Sequence, residues 1–442
     1  MTAPPESRGT EWMEGTLPTV AEDWPKFSRT EISLLAGDTY DISLEEVQRY
    51  SVGRPWVWSR ETLFFVCDVH ADTEGFLRSL VATGGVALTG PGDDDFELTA
   101  LGREGVFVIG GDCFDKGPEN LRLLRALGGL RAKGAKVEIL AGNHDVRALV
   151  GLAYAGRKEP RFAHLWVRMG KKSIPLFREI YEQYVLPNRG DYEFPSDEDV
   201  RAELFPDAAW FENFAAAAGD LVSPAKMERE VRRIREKIVE LGEAADQAGL
   251  SLGMVRAATV AARKLFLEPD GEFSWFFRDM QLARQAGSFL FVHAGVDDQV
   301  ATWIREEGVA GVNARFRHLM DHDLFELYHG AVGNVFRTKY RETDLSFGPQ
   351  GIEDMHSAGI YAIVHGHRNL CRGQRVSVYN GMLNFECDAS IDRNTRVIEG
   401  LAGPGAAAVT FHPDGRVVAT STDYGRIKVF EADRNLGWTT FL

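Results

Sequence analysis

Carboxylate, imidazole and amide side chains follow five separate apolar runs in this sequence. The runs, with their polar ends, are LFFVCDVH (63–70), VFVIGGDCFD (106–115), KVEILAGNHD (136–145), SFLFVHAGV (288–296) and IYAIVHGH (360–367). The residues that could bind a cation or move a proton there are Asp68, His70, Asp112, Asp115, Asn143, His144, Asp145, His293, His365 and His367. Hard and borderline divalent cations bind this donor set without needing a thiolate. The repeated pattern therefore predicts a metal centre.

The apolar runs are typical of strands that are buried on both faces, because they are rich in Val, Ile and Phe and end at Gly or Asp. Residues 73–82 and 119–133, which lie between the first three runs, have helical spacing of apolar residues. Alternating strands and helices predict an α/β core with the functional residues at the carboxyl ends of the strands.

The sequence divides into an N-terminal extension (1–60), a core (61–150 and 286–442) and a helical segment (151–285) between the two parts of the core. Residues 227–249 carry one apolar stripe at helical spacing. The simpler interpretation is a helical insertion with a solvated charged face, and the alternative is a cap that selects substrate. Residues 409–433 resemble one propeller repeat, but a propeller needs about four blades, so we expect two hairpins that complete the core sheet.

The composition is that of a soluble globular protein, with 44% hydrophobic and 26% charged residues. No secretory signal and no apolar run of about 18 residues is present, so we expect no membrane partner. The net charge of -15 disfavours nucleic acid as a partner. The four cysteines have no CxxC spacing, which favours a reducing, cytoplasmic setting. Cys67 and Cys113 are expected to pack as small buried side chains.

Two cations about 3.5–4 Å apart need a ligand that bridges them. Asp112, alone at its strand end, suits that position. Asp68 and His70, two residues apart in an extended chain, can bind one cation. The other cation can be bound by Asn143 and His293, together with either His365 or His367.

The motifs DVH, GDCFD, GNHD, VHAG and HGH together resemble the signature of calcineurin-like metallophosphoesterases. DVHADTEGFLRSL (68–80) and GDCFDKGPENLRLL (111–124) are most similar to the phosphoprotein phosphatase branch, which includes bacterial diadenosine tetraphosphate hydrolases. The resemblance covers roughly residues 60–150 and 285–420. It implies a β-sandwich flanked by helices (αββα).

The resemblance also implies a role for each motif residue. Asp68 and His70 would bind the first metal, Asp112 would bridge, and Asn143, His293 and His367 would bind the second metal. His144 would be the general acid, with its ring oriented by Asp115. His365 stays ambiguous: related families have another histidine two residues after the GH motif, where this chain has Asn369, and His365 could replace that ligand.

Two departures from the family pattern concern the phosphate. The branch usually has DRG after the second motif and Arg before GNH, whereas this chain has Asp115-Lys116-Gly117 and Ala141. Lysine lacks the bidentate fork of arginine. Other groups must therefore help to bind phosphate, and the candidates are Lys116, Arg147, Arg337 and Arg368.

The predicted function is hydrolysis of phosphate monoesters by attack of a hydroxide that bridges two divalent metal ions, Mn or Fe, or alternatively Zn or Mg. The substrate would be a phosphorylated small molecule, nucleotide or phosphoprotein. The alternative is a phosphodiesterase or dinucleoside polyphosphate hydrolase that uses the same site. A non-catalytic binding module built on the propeller-like repeat would instead bind no metal and turn over no ester.

Overall fold

The structure, a computed structural model, describes residues 17–26, 42–342, 344–437 and 439–441. The strands are β1 (Ala21–Asp23), β2 (Trp56–Trp58), β3 (Leu63–Val66), β4 (Val86–Leu88), β5 (Phe96–Leu98), β6 (Val106–Ile109), β7 (Lys136–Leu140), β8 (Met280–Gln281), β9 (Ala283–Ala286), β10 (Phe289–Val292), β11 (Ala362–His365), β12 (Arg375–Tyr379), β13 (Met382–Glu386), β14 (Ala407–Phe411), β15 (Arg416–Ser421), β16 (Ile427–Glu431) and β17 (Thr439–Phe441). The helices are α1 (Leu44–Ser51), α2 (Thr73–Ala82), α3 (Ala100–Glu104), α4 (Asn120–Ala132), α5 (Asn143–Ala153), α6 (Leu165–Met169), α7 (Ile174–Ile180), α8 (Asp197–Leu204), α9 (Trp210–Ala218), α10 (Pro224–Gln247), α11 (Leu252–Leu267), α12 (Ser274–Arg278), α13 (Asp298–His322), α14 (Leu324–His329), α15 (Ala331–Val335), α16 (Pro349–Ser357), α17 (Arg393–Glu399) and α18 (Ala432–Asn435).

Two sheets form the centre of the molecule. The larger sheet has the strand order β1-β16-β15-β14-β3-β6-β7-β8, and the smaller has the order β12-β13-β11-β10-β9. The five apolar runs of the sequence form β3, β6, β7, β10 and β11, as predicted. Within each sheet these strands run parallel to one another, so their carboxyl ends lie at one edge.

Alternate side chains of the central strands face two different cores, because successive residues of a strand point to opposite faces. In β3, Phe65 faces the smaller sheet, and its ring centroid lies 5.8 Å from that of Phe291. Phe64, by contrast, belongs to the apolar cluster that includes helix residues such as Leu77 and Leu124. The two sheets therefore form a sandwich with helices on its outside, which confirms the predicted α/β fold class.

The segment after α17 completes the larger sheet. Strands β14, β15 and β16 form two consecutive antiparallel hairpins, and Val409 of β14 pairs with Phe65 of β3. The segment that resembles a propeller repeat is thus part of the core sheet, as expected. The strand that precedes Asp68 and His70 is held between β14 and β6.

Helices α5 to α12 occupy the interval between β7 and β8, with no strand in the described part of that interval. The predicted amphipathic helix at 227–249 corresponds to α10. Phe114, in the loop after β6, packs against Phe266 and Phe276 of this segment, at ring-centroid distances of 5.5 and 5.3 Å. The helical segment therefore contacts the loop that carries Asp112 and Asp115, while the domain boundaries stay a prediction.

The predicted N-terminal extension is described only in part, since residues 1–16 and 27–41 lie outside the described residues. The described parts join the core: β1 pairs with β16, and β2 pairs with β17. Cys67 and Cys113 are buried among apolar side chains, as expected for packing residues. In the described ranges, no helix has the length and apolar character that crossing a membrane requires.

A buried arginine links the last part of the core to α2 and α4. Arg393 is 0% exposed and donates to Asp72, the N-cap of α2, at 2.8 and 2.9 Å. It also contacts Glu74 of α2 and lies 3.4 Å from Glu119, the N-cap of α4. Arg122 bonds the same two glutamates at 2.6 and 3.0 Å. Two guanidinium groups thus pair with three buried carboxylates.

Because removal of one partner leaves buried charges unpaired, Arg393→Met is expected to lower the free energy of unfolding by about 3–5 kcal/mol. Arg416→Met is the matched control, since Arg416 pairs with Asp414 at the surface and such pairs contribute less than about 1 kcal/mol. Denaturant unfolding of both variants measures the difference. Equal losses in the two variants would contradict a structural role for the buried network.

Candidate metal centre and active site

The predicted site residues lie on loops that leave the carboxyl ends of the central strands. Within the described chain, ten residues other than glycine have a positive φ, and six of them are Asp68, His70, Asp112, Asp115, Lys116 and His367. This left-handed conformation is unfavourable for residues with a Cβ, and it concentrates where a function requires it. Asp68 and His70 have φ values of 55° and 43°. The expectation of an extended chain at these two residues was therefore wrong, although both side chains face the same region.

Two groups of side chains could each hold a metal ion, and they share Asp112. One group is His70, Asp112 and His144, and the other is Asp112, His293 and His367. His70 Nε2 lies 3.7 Å from Asp112 Oδ2, and His293 Nε2 lies 3.5 Å from Asp112 Oδ1. Each oxygen of Asp112 thus faces a different histidine. This is the arrangement that a bridging carboxylate needs.

The remaining predicted ligands border the same two groups. Asp68 Oδ1 lies 4.0 Å from His70 Nε2, on the first side of Asp112. Asn143 begins α5, and its Oδ1 lies 3.3 Å from His293 Nε2, on the second side. All six predicted metal ligands are therefore brought together around Asp112.

The hydrogen bonds of the histidines show that these groups fit cations. Each of three rings has one nitrogen that faces a backbone carbonyl, to which it can only donate. The bonds are His70 Nδ1 to Phe114 (3.1 Å), His293 Nδ1 to Gly110 (2.7 Å) and His367 Nε2 to Arg337 (3.2 Å). The other nitrogen of each neutral ring then carries a lone pair. For His70 this lone pair faces the carboxylate oxygens of Asp68 and Asp112, which are also acceptors, and a cation between them resolves the conflict. His293 faces Asp112 in the same way, and its ring carries a proton there unless a metal cation takes the place of that proton.

The electrostatics of the centre agree with this donor set. Burial opposes ionisation of Asp112, but the surrounding histidines outweigh it and hold its pKa well below the usual range. Burial likewise disfavours the cationic form of His293. The carboxylates of Asp112 and Asp68 reverse that effect and raise the pKa of His293 to about 10. The centre therefore attracts positive charge.

His144 and Asp115 form the pair that the sequence predicts for proton transfer. His144 Nδ1 lies 2.8 Å from Asp115 Oδ2, and its Nε2 lies 3.9 Å from Asp112 Oδ2. Arg147 Nη2 donates to the same oxygen of Asp115 at 3.1 Å. Burial and the Arg147 charge lower the pKa of His144 well below its usual value. The ring is therefore neutral at neutral pH when no anion is bound.

Asp145, the last residue of GNHD, has a positioning role that the sequence did not assign. Its Oδ2 accepts from the N–H of Asp112 at 2.7 Å. Its Oδ1 accepts from the N–H groups of Cys113 and Phe114 at 2.9 and 3.1 Å. Asp145 therefore fixes the loop that carries Asp112 and Asp115. The sequence could have indicated this role, because Asp145 directly follows Asn143 and His144 in the GNHD motif.

A further carboxylate, Asp388, lies near the centre without a signal in the sequence. It is buried after β13, and its Oδ2 has no hydrogen-bond partner among the described residues. Burial and the charge of Asp68 raise its pKa well above the usual value. Glu386 and Cys387 precede it, and they give no hint that the chain returns to the metal centre at this point.

The candidate phosphate-binding residues lie in different surroundings. Lys116 and Arg147 border the pair formed by His144 and Asp115. The guanidinium of Arg337 instead lies 4.6 Å from the ring centroid of Tyr328 and donates to the Gly333 carbonyl. Lys116 and Arg147 are therefore better placed than Arg337 to bind a phosphate at the metal centre. The contacts of Arg337 give it no role in phosphate binding.

Arg368 and His365 sit beside Glu386, at the end of β11. Arg368 donates to Glu386 at 3.2 Å and stacks on Tyr340. His365 is fully buried and belongs to neither candidate metal group of the described residues. Burial and the charge of Arg368 lower the pKa of His365 to about 3. His367, and not His365, thus faces Asp112 and His293.

A third acidic group, formed by Asp72, Glu74 and Glu119, also has ligand atoms close enough for a cation. Arg393 and Arg122 already pair with these carboxylates. The guanidinium groups occupy the positions that a metal ion would need.

The sequence matches no family model and no curated protein. Solved structures with a similar course of the chain include a cold-active protein tyrosine phosphatase, with 16% identity, coverage of 94% of this chain and 90% of that chain, and a TM-score of 0.45. A cold-active protein tyrosine phosphatase of a psychrophilic Shewanella species has 16% identity, coverage of 91% and 89%, and a TM-score of 0.41. A protein serine/threonine phosphatase from Saccharomyces cerevisiae has 10% identity, coverage of 88% and 87%, and a TM-score of 0.37. At these identities and scores, function has to be argued from the side chains.

Proposed function

We propose that this chain is a metal-dependent phosphatase of the calcineurin-like metallophosphoesterase type, which hydrolyses phosphate monoesters. The observation that supports this most directly is that Asp112 is shared by two groups of possible metal ligands. Asp68, His70 and Asp112 would hold one divalent cation. Asp112, Asn143, His293 and His367 would hold the other. The donor set accepts Mn, Fe, Zn or Mg, and Mn or Fe is our preferred pair.

Two bound cations supply Lewis-acid polarisation of the phosphoryl oxygens and lower the pKa of water. The protein groups keep the ligands in position for this chemistry. Backbone carbonyls fix the tautomers of His70, His293 and His367, and Asp145 fixes the loop of Asp112. Such outer contacts orient metal ligands and tune their basicity.

His144 protonates the leaving oxygen. The oxygen of a water molecule that has lost a proton to solvent bonds to phosphorus while the bond from phosphorus to the leaving oxygen breaks. The leaving oxygen takes the electron pair of that bond and the proton of His144 Nε2. Asp115 Oδ2 lies 2.8 Å from Nδ1, so its carboxylate would accept from the Nδ1–H of the imidazolium and stabilise that cation. An incoming phosphate dianion favours protonation of His144, since its charge opposes that of Arg147, which lowers the pKa of the ring.

Lys116, which stands at one of the two positions where the family pattern has arginine, and Arg147 hold the phosphate. Both lie beside His144 and Asp115, where an anionic group would approach the proton donor. A diester or dinucleoside polyphosphate is the second candidate substrate. It is favoured by the lysine and alanine at positions 116 and 141, because the lysine lacks the bidentate fork of arginine and the alanine removes one positive charge from the binding of a single terminal phosphate. The four free cysteines fit a cytoplasmic setting.

The function is tested by metal removal and an ester panel. Protein treated with a chelator should lose turnover of nitrophenyl phosphate, and added Mn²⁺, Fe²⁺, Zn²⁺ or Mg²⁺ should restore it. Parallel assays with bis-nitrophenyl phosphate and a dinucleoside tetraphosphate then rank monoester against diester and polyphosphate. Turnover that survives complete removal of the metal would refute the proposal. A higher kcat/KM for the diester than for the monoester would show that the diester is the preferred substrate.

A further inference from the structure

Cationic side chains from the helical segment reach the metal centre. Lys172 follows α6 in the short turn Lys171–Ser173, and Lys237 lies in α10. Together with two residues of the core they form what we call the cationic recess. Its members are Lys116, Arg147, Lys172 and Lys237.

The two core members border the proton-transfer pair. Arg147 lies one helical turn after Asn143 in α5 and is held by Asp115 at 3.1 Å. Its Nε has no hydrogen-bond partner among the described residues. Lys116 Nζ lies 3.2 Å from Thr395 Oγ1 and 3.9 Å from Asp392 Oδ2. The core therefore already supplies two cationic groups at this place, each beside one carboxylate, before the helical segment contributes.

A glycine allows Lys237 to reach its place. Gly170, with φ 71°, connects α6 to the turn of Lys171–Ser173. Lys237 Nζ lies where a Cβ at position 170 would be, so any larger residue there would displace the ammonium group. Close packing of α10 on this turn thus brings Lys237 near Arg147 and Asp115.

Lys172 and Lys237 have no carboxylate bound to their ammonium groups among the described residues. Within the described ranges, Lys172 and Lys237 form no ion pair or hydrogen bond, whereas the neighbouring Lys171 pairs with Glu240 at 3.0 Å. Lys172 is exposed and Lys237 is half-buried, so a ligand from solvent can reach both ammonium groups. The carboxylates that attract Lys172 are Asp115 and Asp112, which places it on the metal side of the segment.

Lys172 and Lys237 both lie close enough to Arg147 for its positive charge to act on them. Partial removal from water and the charges of Lys116 and Arg147 lower the pKa of Lys172 to about 8. Partial removal from water and the charges of Arg147 and Arg168 lower the pKa of Lys237 to about 7. Asp115 offsets only part of the repulsion between these like charges, since the pKa values of both lysines stay below their usual value. A bound phosphate would relieve this repulsion.

We propose that the cationic recess binds a second phosphate group of the substrate, while the phosphate that reacts lies at the metal centre. The substrate class is thus a phosphate ester that carries another phosphate, and this assignment rests on the proposed phosphatase function. The helical segment would then be the cap that selects substrate, and its two lysines would recognise the group that is not hydrolysed. Ammonium groups suit this purpose because they are compact donors that adapt to a phosphate as point charges.

Binding of pyrophosphate and of inorganic phosphate, measured by calorimetry with the whole chain, tests the proposal without requiring turnover. Lys172→Gln and Lys237→Gln should each lower the preference for pyrophosphate over phosphate by about tenfold, since each removes a charge-assisted hydrogen bond. Lys171→Gln is the matched control, because Lys171 neighbours Lys172 but already has a carboxylate partner. The control should leave the preference unchanged.

Two results would overturn the cationic recess. One is an unchanged preference for pyrophosphate over phosphate in the variant that carries both Lys172→Gln and Lys237→Gln. The other is an equal loss of phosphate and pyrophosphate affinity, which would place both lysines on the reacting phosphate. If the native chain hydrolyses no ester while the lysines still determine pyrophosphate preference, the phosphatase function fails and the recess stands. If the native chain hydrolyses esters but the preference for pyrophosphate is the same with and without both lysines, only the proposal of the cationic recess fails.

Discussion

Asp112→Asn is expected to remove both bound cations and at least about 10³-fold of the turnover. The carboxylate faces His70 on one side and His293 on the other, so its charge serves both cations. Lewis-acid stabilisation is worth several kcal/mol, and each 1.4 kcal/mol corresponds to a factor of ten in rate. Elemental analysis of the purified variant gives the metal content per chain, and steady-state assays give kcat.

The asparagine keeps the shape of the side chain and an oxygen that can accept from the His144 N–H, a bond of 2.8 Å in the native chain. Loss of metal without loss of folding is therefore the expected outcome, and thermal melting of the metal-free forms checks it. Asp414→Asn, at the surface, is the control for the substitution type. Retention of two cations by Asp112→Asn would show that Asp112 is not the bridging ligand.

His144→Ala is expected to keep both cations and to lower the turnover of an alkyl phosphate by about 10²–10⁴-fold, the usual contribution of a general acid. The loss should be smaller for nitrophenyl phosphate, because that leaving group needs little protonation. His144 Nε2 lies 3.9 Å from Asp112 Oδ2, which is also close enough for a metal ligand. Metal content measured beside the two rates separates these roles.

Asp115→Asn is the companion variant, since the carboxylate of Asp115 contacts the ring of His144 and the guanidinium of Arg147. It should show the same dependence on the leaving group with a smaller loss. His412→Ala, outside the site, is the control. A fall in metal content equal to the fall in rate would make His144 a ligand and not the acid.

The sequence was sufficient for the part of the site that depends on strand order. Each ligand motif adjoins an apolar run, and parallel strands bring their carboxyl ends to one edge wherever they lie in the sequence. His293 and Asp112, which are far apart in the chain, could therefore be placed together. The exact backbone path could not be predicted, because the left-handed conformations of Asp68 and His70 depend on hydrogen bonds to Asp112 and its neighbours.

The contribution of the helical segment could not be predicted. Lys237 is one of many charged residues in α10, and periodicity only indicates which side of the helix is apolar. Its approach to Arg147 depends on a contact with Gly170, which lies in another helix connection. Lys172 and Lys171 are adjacent in sequence, yet only Lys171 has a carboxylate partner. Such differences follow from tertiary packing and leave no local pattern.

The pairing of β14 with β3 determines when the metal centre can form during synthesis. Phe65, just before Asp68, pairs with Val409, so about 340 residues must be translated between the two strands. At roughly 5–20 residues per second this interval lasts about 20–70 s. During that time the first ligand loop lacks one of its neighbouring strands, and His293 and His367 are added only late. The last proposed ligand, His367, is translated about 300 residues after Asp68, so the complete set of ligands exists only late in synthesis.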